Sequence, residues 1–567
     1  MRSRRRAFPL LASVAVVAAL AGAVGVRSRS GPGSPPGELM PAAGCSLVVK
    51  SSTSQCETTA DCLALGPAFA PSFCLANTCQ VACTSNKDCS ANSGTGPRIC
   101  RPDRSCAFLL SEDCQSVIAG PGDLDDDSVL WFGLLAPFDP ATKVLSQAKI
   151  DAANLARADF INAAGGLPPI ANGGTHRHFA FVACDESANA DRAARHLTDD
   201  VRVPAIIGPI YSGDLIDVAT NVTIGDGVLL ISASATSTLI TALADNGLVW
   251  RTAPSDTEQG QAIAELVSEA VEPALQGEID GGALRLGVAY KGDGYGLGME
   301  GALENDLVFN GRAATQNGAN YGTYNYGLDS DPDAGAVYAE TVNELLALAP
   351  HVVIIVGTRE AIVDILSPLE QKWAEPAFRP RYILTDGTYP LPELIAAVSG
   401  NEDLRSRIIG TTPGTNSPEF QGFVQYYNGT FHDGTVPIES TAGTYDAAYM
   451  LAYAAAAVGA NVTGATLTGA FPRLVSPEVD SGAARVDVGF GAINSTLDTL
   501  ADGGSVVLNG VSGPLDFDLA TGDTRTDIQL WCLRRSDGGA TFETTSVYYG
   551  AVSNTLENLP DGGSICP

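Results

Sequence analysis

Residues 205–214 read AIIGPIYSGD, and one helix length later residues 228–237 read VLLISASATS. In both, a short apolar run, Ala205 to Ile207 or Val228 to Ile231, ends in hydroxyls: Ser212 after the first, then Ser232, Ser234 and Thr236 after the second. Apolar runs this short and without alternation are strands covered on both faces, which places them in a parallel sheet. The residues that follow stand at the carboxyl edge of that sheet, where open α/β sheets hold their ligands.

Outward from these two strands the alternation continues. Upstream, VLWFGLLAP leads to a helix through KIDAANLARADFINAAGG, closed by Gly165 and Gly166, and HFAFVAC leads to ANADRAARHLTDD. Downstream, SDTEQGQAIAELVSEAV opens with Ser255 and Glu258 spaced as a capping box and sets Ile263, Leu266, Val267, Ala270 and Val271 on one face. LRLGVAY with a helix after Tyr295, HVVIIVG with a helix through EAIVDILSPLEQ, and RYILTDG repeat the unit. Strand and helix in turn, without long gaps, predict an α/β fold of parallel sheets wound with helices, and two such blocks predict two lobes.

The chain has 567 residues, enough for two or three domains. Arg2, Arg4, Arg5 and Arg6 precede an apolar stretch from Phe8 to Val26 that contains Ala21-Gly22-Ala23 as a cleavage site. Residues 1–26 thus have the layout of a secretory signal, with an uncleaved signal anchor as the alternative because the stretch is long and runs to Arg27. A Pro/Gly/Ser-rich linker spans 27–44. AAGC, ending in Cys45, resembles a lipoprotein site, but GPGSPPGELMP separates it from the apolar run and lipidation would leave an odd cysteine. The reading is an exported chain, in the periplasm or at the cell surface, with membrane contact only through an N-terminal anchor.

Ten of the 13 cysteines lie between Cys45 and Cys114. Eight form a repeat in which Cys56, Cys62, Cys74 and Cys79 answer Cys83, Cys89, Cys100 and Cys106. A small module poor in apolar residues needs covalent ties, so residues 45–114 are expected to hold five disulfides of open connectivity, with Cys45 and Cys114 included. Zinc is the competing reading, but the module has no Cys-x-x-Cys pair and no His. Cys532 and Cys566 could tie the C-terminus to a strand, and Cys184, ending FAFVAC, reads as a buried free thiol.

GPGDLDDDS, within residues 115–127 and the next position, reads as an acidic linker. Its Asp123, Asp125 and Asp127 have calcium-loop spacing, yet the rest of such a loop is missing. Against 33 basic residues stand 64 acidic ones, a net charge of -31, which makes nucleic acid and anionic membranes poor partners. The sequence has no phosphate-loop, zinc-protease or Gly-x-Ser-x-Gly motif, and no nucleophile can be paired with a base, so the expectation is a non-enzyme without cofactor or metal. His176 and His178 would need further ligands to hold an ion.

In their order along the chain, FINAAGG, AIIGPIYSG, LLISASATS, VWRTAPSDTEQG, YKGDGYGLG, VVIIVGT, ILTDG, TYDAAYMLAYA and GVSGPLDFDLATGD make residues 128–550 resemble the type I periplasmic solute-binding proteins. The likeness is to the branched-chain amino-acid (leucine/isoleucine/valine) receptors of ABC importers. It implies a two-lobed periplasmic-binding domain over 128–567 that closes on an amino acid or similar small molecule and delivers it to an ABC permease. The fold also serves sensing receptors, and a surface interaction protein with a degenerate cleft is a further alternative. The family's crossovers would give lobe one 128–252 and 410–505 and lobe two 253–409 and 506–567.

By position in the resemblance, Ser212, Ser234 and Thr236 are the expected carboxylate and amino contacts of the first lobe. Tyr295 matches the opposing lobe's tyrosine, and Asp386 the acidic partner of a substrate ammonium. Each has a plainer alternative: a helix cap for the hydroxyls, a core tyrosine for Tyr295, a turn for Asp386-Gly387. The chain departs from the family in two places. APFDPATKVLSQAK has no glycine where the family has a Gly-containing loop, and Ser232-Ala233 replaces the familiar Ser-Pro. Both put side-chain specificity in doubt.

Overall fold

A computed structural model describes residues 54–567, apart from 67–71, 76, 91–95, 140–141, 172, 278, 280–281, 375–377, 415–416, 433–436, 476–482, 537–538, 560–564 and 567. Cys45 and the N-terminal signal and linker readings fall outside these residues. No helix of the described residues is long and apolar enough to cross a membrane.

Each half of the cysteine repeat folds as one helical turn followed by a hairpin. The turns are Thr59–Leu63 and Asn86–Ser90; the hairpins pair Ser72–Leu75 with Thr78–Val81 and Arg98–Cys100 with Cys106–Phe108. An aspartate just before the turn's cysteine closes the loop by accepting backbone N–H groups: Asp61 from Glu57 and Thr58, Asp88 from Thr84 and Ser85. The disulfides repeat too, as Cys56–Cys74 with Cys62–Cys79, then Cys83–Cys100 with Cys89–Cys106. By loop entropy each is worth about 3 kcal/mol, stability that this small apolar content could not supply.

The expectation of a fifth disulfide inside the module, and of a free Cys184, is corrected. Ser116–Ile118 forms a strand, β1, that runs antiparallel to Phe179–Asp185, with Ser116 opposite Ala183. That register carries Cys114 to Cys184, and the two are joined. With Cys532–Cys566 also formed, six disulfides use twelve of the 13 cysteines and Cys45 is the one left over. The odd-cysteine argument against lipidation therefore no longer holds.

The acidic stretch is likewise more than a linker. Asp123 is buried, bound by the Arg157 guanidinium and by His178 Nδ1 at 2.7 Å, which also explains that histidine without a metal. Asp125 and Asp127 accept from Ser90 Oγ and Asn86 N–H, both at 2.6 Å, and so fasten the module to the first lobe.

From here the strands are β2 (Leu130–Ala136), β3 (Phe179–Asp185), β4 (Ala205–Ile207), β5 (Leu229–Ser232) and β6 (Val249–Pro254). With the short β12 (Phe517–Asp518) and β13 (Asp523–Thr524), they form an eight-stranded sheet in the order β12-β13-β6-β5-β4-β2-β3-β1. β2 to β6 are parallel, as the uninterrupted apolar runs of β2 to β5 require. The second eight-stranded sheet has the order β8-β7-β9-β10-β11-β14-β15-β16. Its members are β7 (Leu286–Tyr290), β8 (Tyr321–Asn325), β9 (Val352–Val356), β10 (Arg381–Leu384), β11 (Ile408–Pro413), β14 (Ile528–Ser536), β15 (Gly539–Gly550) and β16 (Thr555–Glu557). These are two lobes of a type I periplasmic-binding fold, joined where the chain leaves β6, β11 and β13.

The lobe boundaries differ from those expected. β11 belongs to the second sheet as far as Pro413, and residues 506–524 stay with the first lobe, where Leu508, Leu515 and Phe517 enter its core. That core lies between the sheet and helices α1 (Lys143–Ala164) and α9 (Glu439–Val458), with Phe160 against Tyr449 and Tyr453. Asp446 of α9 accepts Val511 N–H at 3.0 Å, Ser512 N–H at 2.8 Å and Ser512 Oγ at 2.6 Å, so TYDAAYMLAYA and GVSGPLDF meet in one contact.

Candidate binding cleft

A cleft of about 880 Å³ lies between the lobes. Ser212, Ser234, Thr236, Tyr295 and Asp386 all line it. Its first wall begins where β4 ends. Gly208 has φ +107° and a Cβ there would come 2.4 Å from Leu135 O, so the chain passes close over β2 before helix α3 (Ser212–Val218) starts.

Ser232, fully buried at the end of β5, ties the two strand ends together. Its hydroxyl donates to Pro209 O at 2.6 Å and accepts Ala235 N–H at 3.0 Å. Ser212 Oγ accepts Ser237 N–H at 3.2 Å, which joins the two hydroxyl clusters noted in the sequence. Ser234 is half-buried, and its hydroxyl takes no partner among the described residues. Thr236 is buried, and its carbonyl accepts Asp256 N–H at 2.7 Å.

The opposing wall is Tyr295, near the start of α6 (Gly294–Asp306), and Asp386, just after β10. Tyr295 Oη lies 2.5 Å from Asp386 Oδ1 and 2.7 Å from Thr385 Oγ1, and accepts Gly387 N–H at 3.3 Å. A Cβ on Gly387 would meet Gly357 O at 2.4 Å, so only glycine lets the Asp386 turn sit against β9. Burial raises the Asp386 carboxyl to about 6 against the pull of Tyr295 and two backbone N–H groups. Asp256, wholly buried nearby, is pushed well above the carboxylate range by burial and then by Asp386.

The lobes touch at one rim, where Ser237 Oγ donates to Gly294 O at 2.5 Å and Thr238 Oγ1 to Gly298 O at 3.1 Å.

Several residues in or behind the cleft walls were not singled out from sequence. Lys149 is buried on α1, with Nζ donating to Ser440 Oγ at 2.8 Å; burial brings its ammonium down to about 8, opposed by Glu186. Its spacing from Ala152, Ala156 and Phe160 on the buried face was the available signal. Glu186 accepts Ile210 N–H at 3.1 Å, shaping the loop before Ser212; burial and then Asp214 raise it to about 8. Arg251, wholly buried in β6, pairs with Asp523 at 2.6 Å, and its guanidinium also donates to Ser237 O at 2.8 Å and Thr241 Oγ1 at 2.6 Å. The cleft can therefore hold a zwitterion: hydroxyls and N–H groups at a helix start on one side, a carboxylate on the other.

A family model described as "Receptor family ligand binding region" matches residues 151–270. No curated protein matches the chain. Among solved structures, a leucine-binding protein from Thermotoga maritima is similar at TM-score 0.51 and 18% identity, over 73% of this chain and 97% of the other. The substrate-binding protein of a branched-chain amino-acid transporter from Streptococcus pneumoniae, in complex with isoleucine, has TM-score 0.50 and 18% identity, over 73% and 99% of the two chains. A solute-binding protein of an ABC transporter from R. palustris, in complex with 4-hydroxybenzoate, has TM-score 0.50 and 15% identity, over 73% and 96%. These neighbours are binding proteins, and the resemblance drawn from the sequence motifs leads to the same group. The chain carries the two-lobed fold of the type I periplasmic solute-binding proteins, with a disulfide-rich module at its N-terminal side.

Proposed function

We propose that the chain is an exported substrate-binding protein, acting in the periplasm or at the cell surface, whose lobes close on an amino acid for ABC-type uptake. The observation that carries this reading is the pairing across one cleft of the Ser212, Ser234 and Thr236 wall with the Tyr295–Asp386 wall. The first suits a carboxylate and the second an ammonium. A ligand touching both walls binds the closed state more tightly and shifts the population toward it, without chemistry.

Thermal unfolding of the exported, oxidised chain against a panel of amino acids tests it. A ligand that binds only the folded chain adds about 2.7 kcal/mol at a hundredfold excess over Kd. No shift with any amino acid would reject the proposed ligand class. The receptor description of the matching family model supports a second reading, ligand sensing. Loss of uptake in a deletion strain favours transport; intact uptake with a lost response to the ligand favours sensing.

A further inference from the structure

We propose that Lys149 selects the ligand, and that the ligand is an α-amino acid whose side chain ends in a carboxylate or carboxamide. This rests on the amino-acid reading above and deepens it. Lys149 lines the cleft beside Ser146 and Leu145, and also borders Ile210 and Ala233, the backbone that carries the two hydroxyl clusters. It closes the segment APFDPATKVLSQAK, which follows β2 and has no glycine.

The lysine is 5% exposed, yet its ammonium has one hydrogen-bond acceptor among the described residues, Ser440 Oγ. An ammonium carries three donors, so two remain for an acceptor arriving in the cleft. The neighbouring groups do not fill that place. Ser146 Oγ is spent on Pro137 O, and Glu186 turns both carboxylate oxygens to Ile210 N–H, at 3.1 and 3.2 Å. Glu186 acts on the lysine through its field and makes no hydrogen bond to it. An aliphatic side chain at this end would strip the ammonium of water and give nothing back, whereas a carboxylate or carboxamide completes it.

The test is calorimetric titration of the full exported chain with glutamate, glutamine, leucine and lysine, for the wild type and Lys149→Met, with unfolding midpoints for both. Wild type is expected to bind glutamate or glutamine at least about tenfold more tightly than leucine. Lys149→Met is expected to lose at least about tenfold for that ligand while leucine changes by less than about threefold. A wild type that prefers leucine or lysine overturns the inference and leaves the amino-acid reading standing. So does a Lys149→Met that weakens every ligand equally, or that lowers only the unfolding midpoint, as a purely structural Lys149–Glu186 pair would. No binding of any amino acid by the folded chain overturns both. If Lys149→Met does not fold, the wild-type ranking decides.

Discussion

The two walls of the cleft offer their polarity by different means. The first lobe uses hydroxyls and backbone N–H groups locked to one another: Ser232 to Pro209 and Ala235, Ser212 to Ser237, and Arg251 beneath them to Ser237 O. The second lobe uses titratable groups, Tyr295 on Asp386 with Asp256 behind. The locked hydroxyls and amides do not titrate near neutrality, whereas Asp386, raised to about 6, does. Damage to these locked contacts should therefore appear mainly as lost stability, and damage to the Asp386 pair as altered binding.

The largest expected effect lies in the frame of the first wall. Arg251→Met leaves Asp523 without its cationic partner and frees the loop at Ser237; breaking a buried ion pair costs about 3–5 kcal/mol, which denaturant unfolding would register. A loss below 1 kcal/mol would show that the hydroxyl wall does not depend on that pair.

The second wall sharpens the contrast through pH. Asp386→Asn should weaken binding of a ligand ammonium by about 2–3 kcal/mol, with folding unchanged or improved, as titration and unfolding run together would show. In the wild type the carboxyl, raised from 3.8 to about 6, holds a proton that the unfolded chain has released between those values. Its contribution to stability is full below pH 3.8 and is lost as pH rises through about 6. Binding runs the opposite way, falling by up to about tenfold per pH unit below the folded pKa, because the ammonium needs the ionised acid. Asp386→Asn should remove both slopes; equal slopes in variant and wild type would place the titration elsewhere.

The smallest effect is expected from Ser212→Ala. Losing the acceptor of Ser237 N–H should cost about 1 kcal/mol in unfolding and about fivefold in affinity.

What was legible follows the length of the pattern. β2 to β5, and β7, β9 and β10, announce themselves as apolar runs, and Asp386 stands out at a strand end in the resembling motif LTDG. Three-residue β1 carries no periodicity, so its antiparallel register, and with it Cys114–Cys184, could not be read from the cysteine spacing. β12 and β13, of two residues each, return 517–524 to the first sheet for the same reason unseen. Ser255 does cap its helix, through Thr257 N–H, but Glu258 turns to Arg525 at 3.6 Å instead of closing a capping box. Lys149 and Arg251 were hidden because charged residues suggest solvent, and only the fold supplies Ser440 and Asp523 to receive them.

The module's fastening to the first lobe has one more consequence. Cys114–Cys184, Asn86 on Asp127, and Arg202 on Asp103 make the cysteine module travel with that lobe, while Val552, 90% exposed in the turn between β15 and β16, travels with the other. Two dyes, one on exposed Leu65 of the module and one at Val552, would thus form an optical ruler across the hinge, turning ligand capture into a change of energy transfer without touching the cleft.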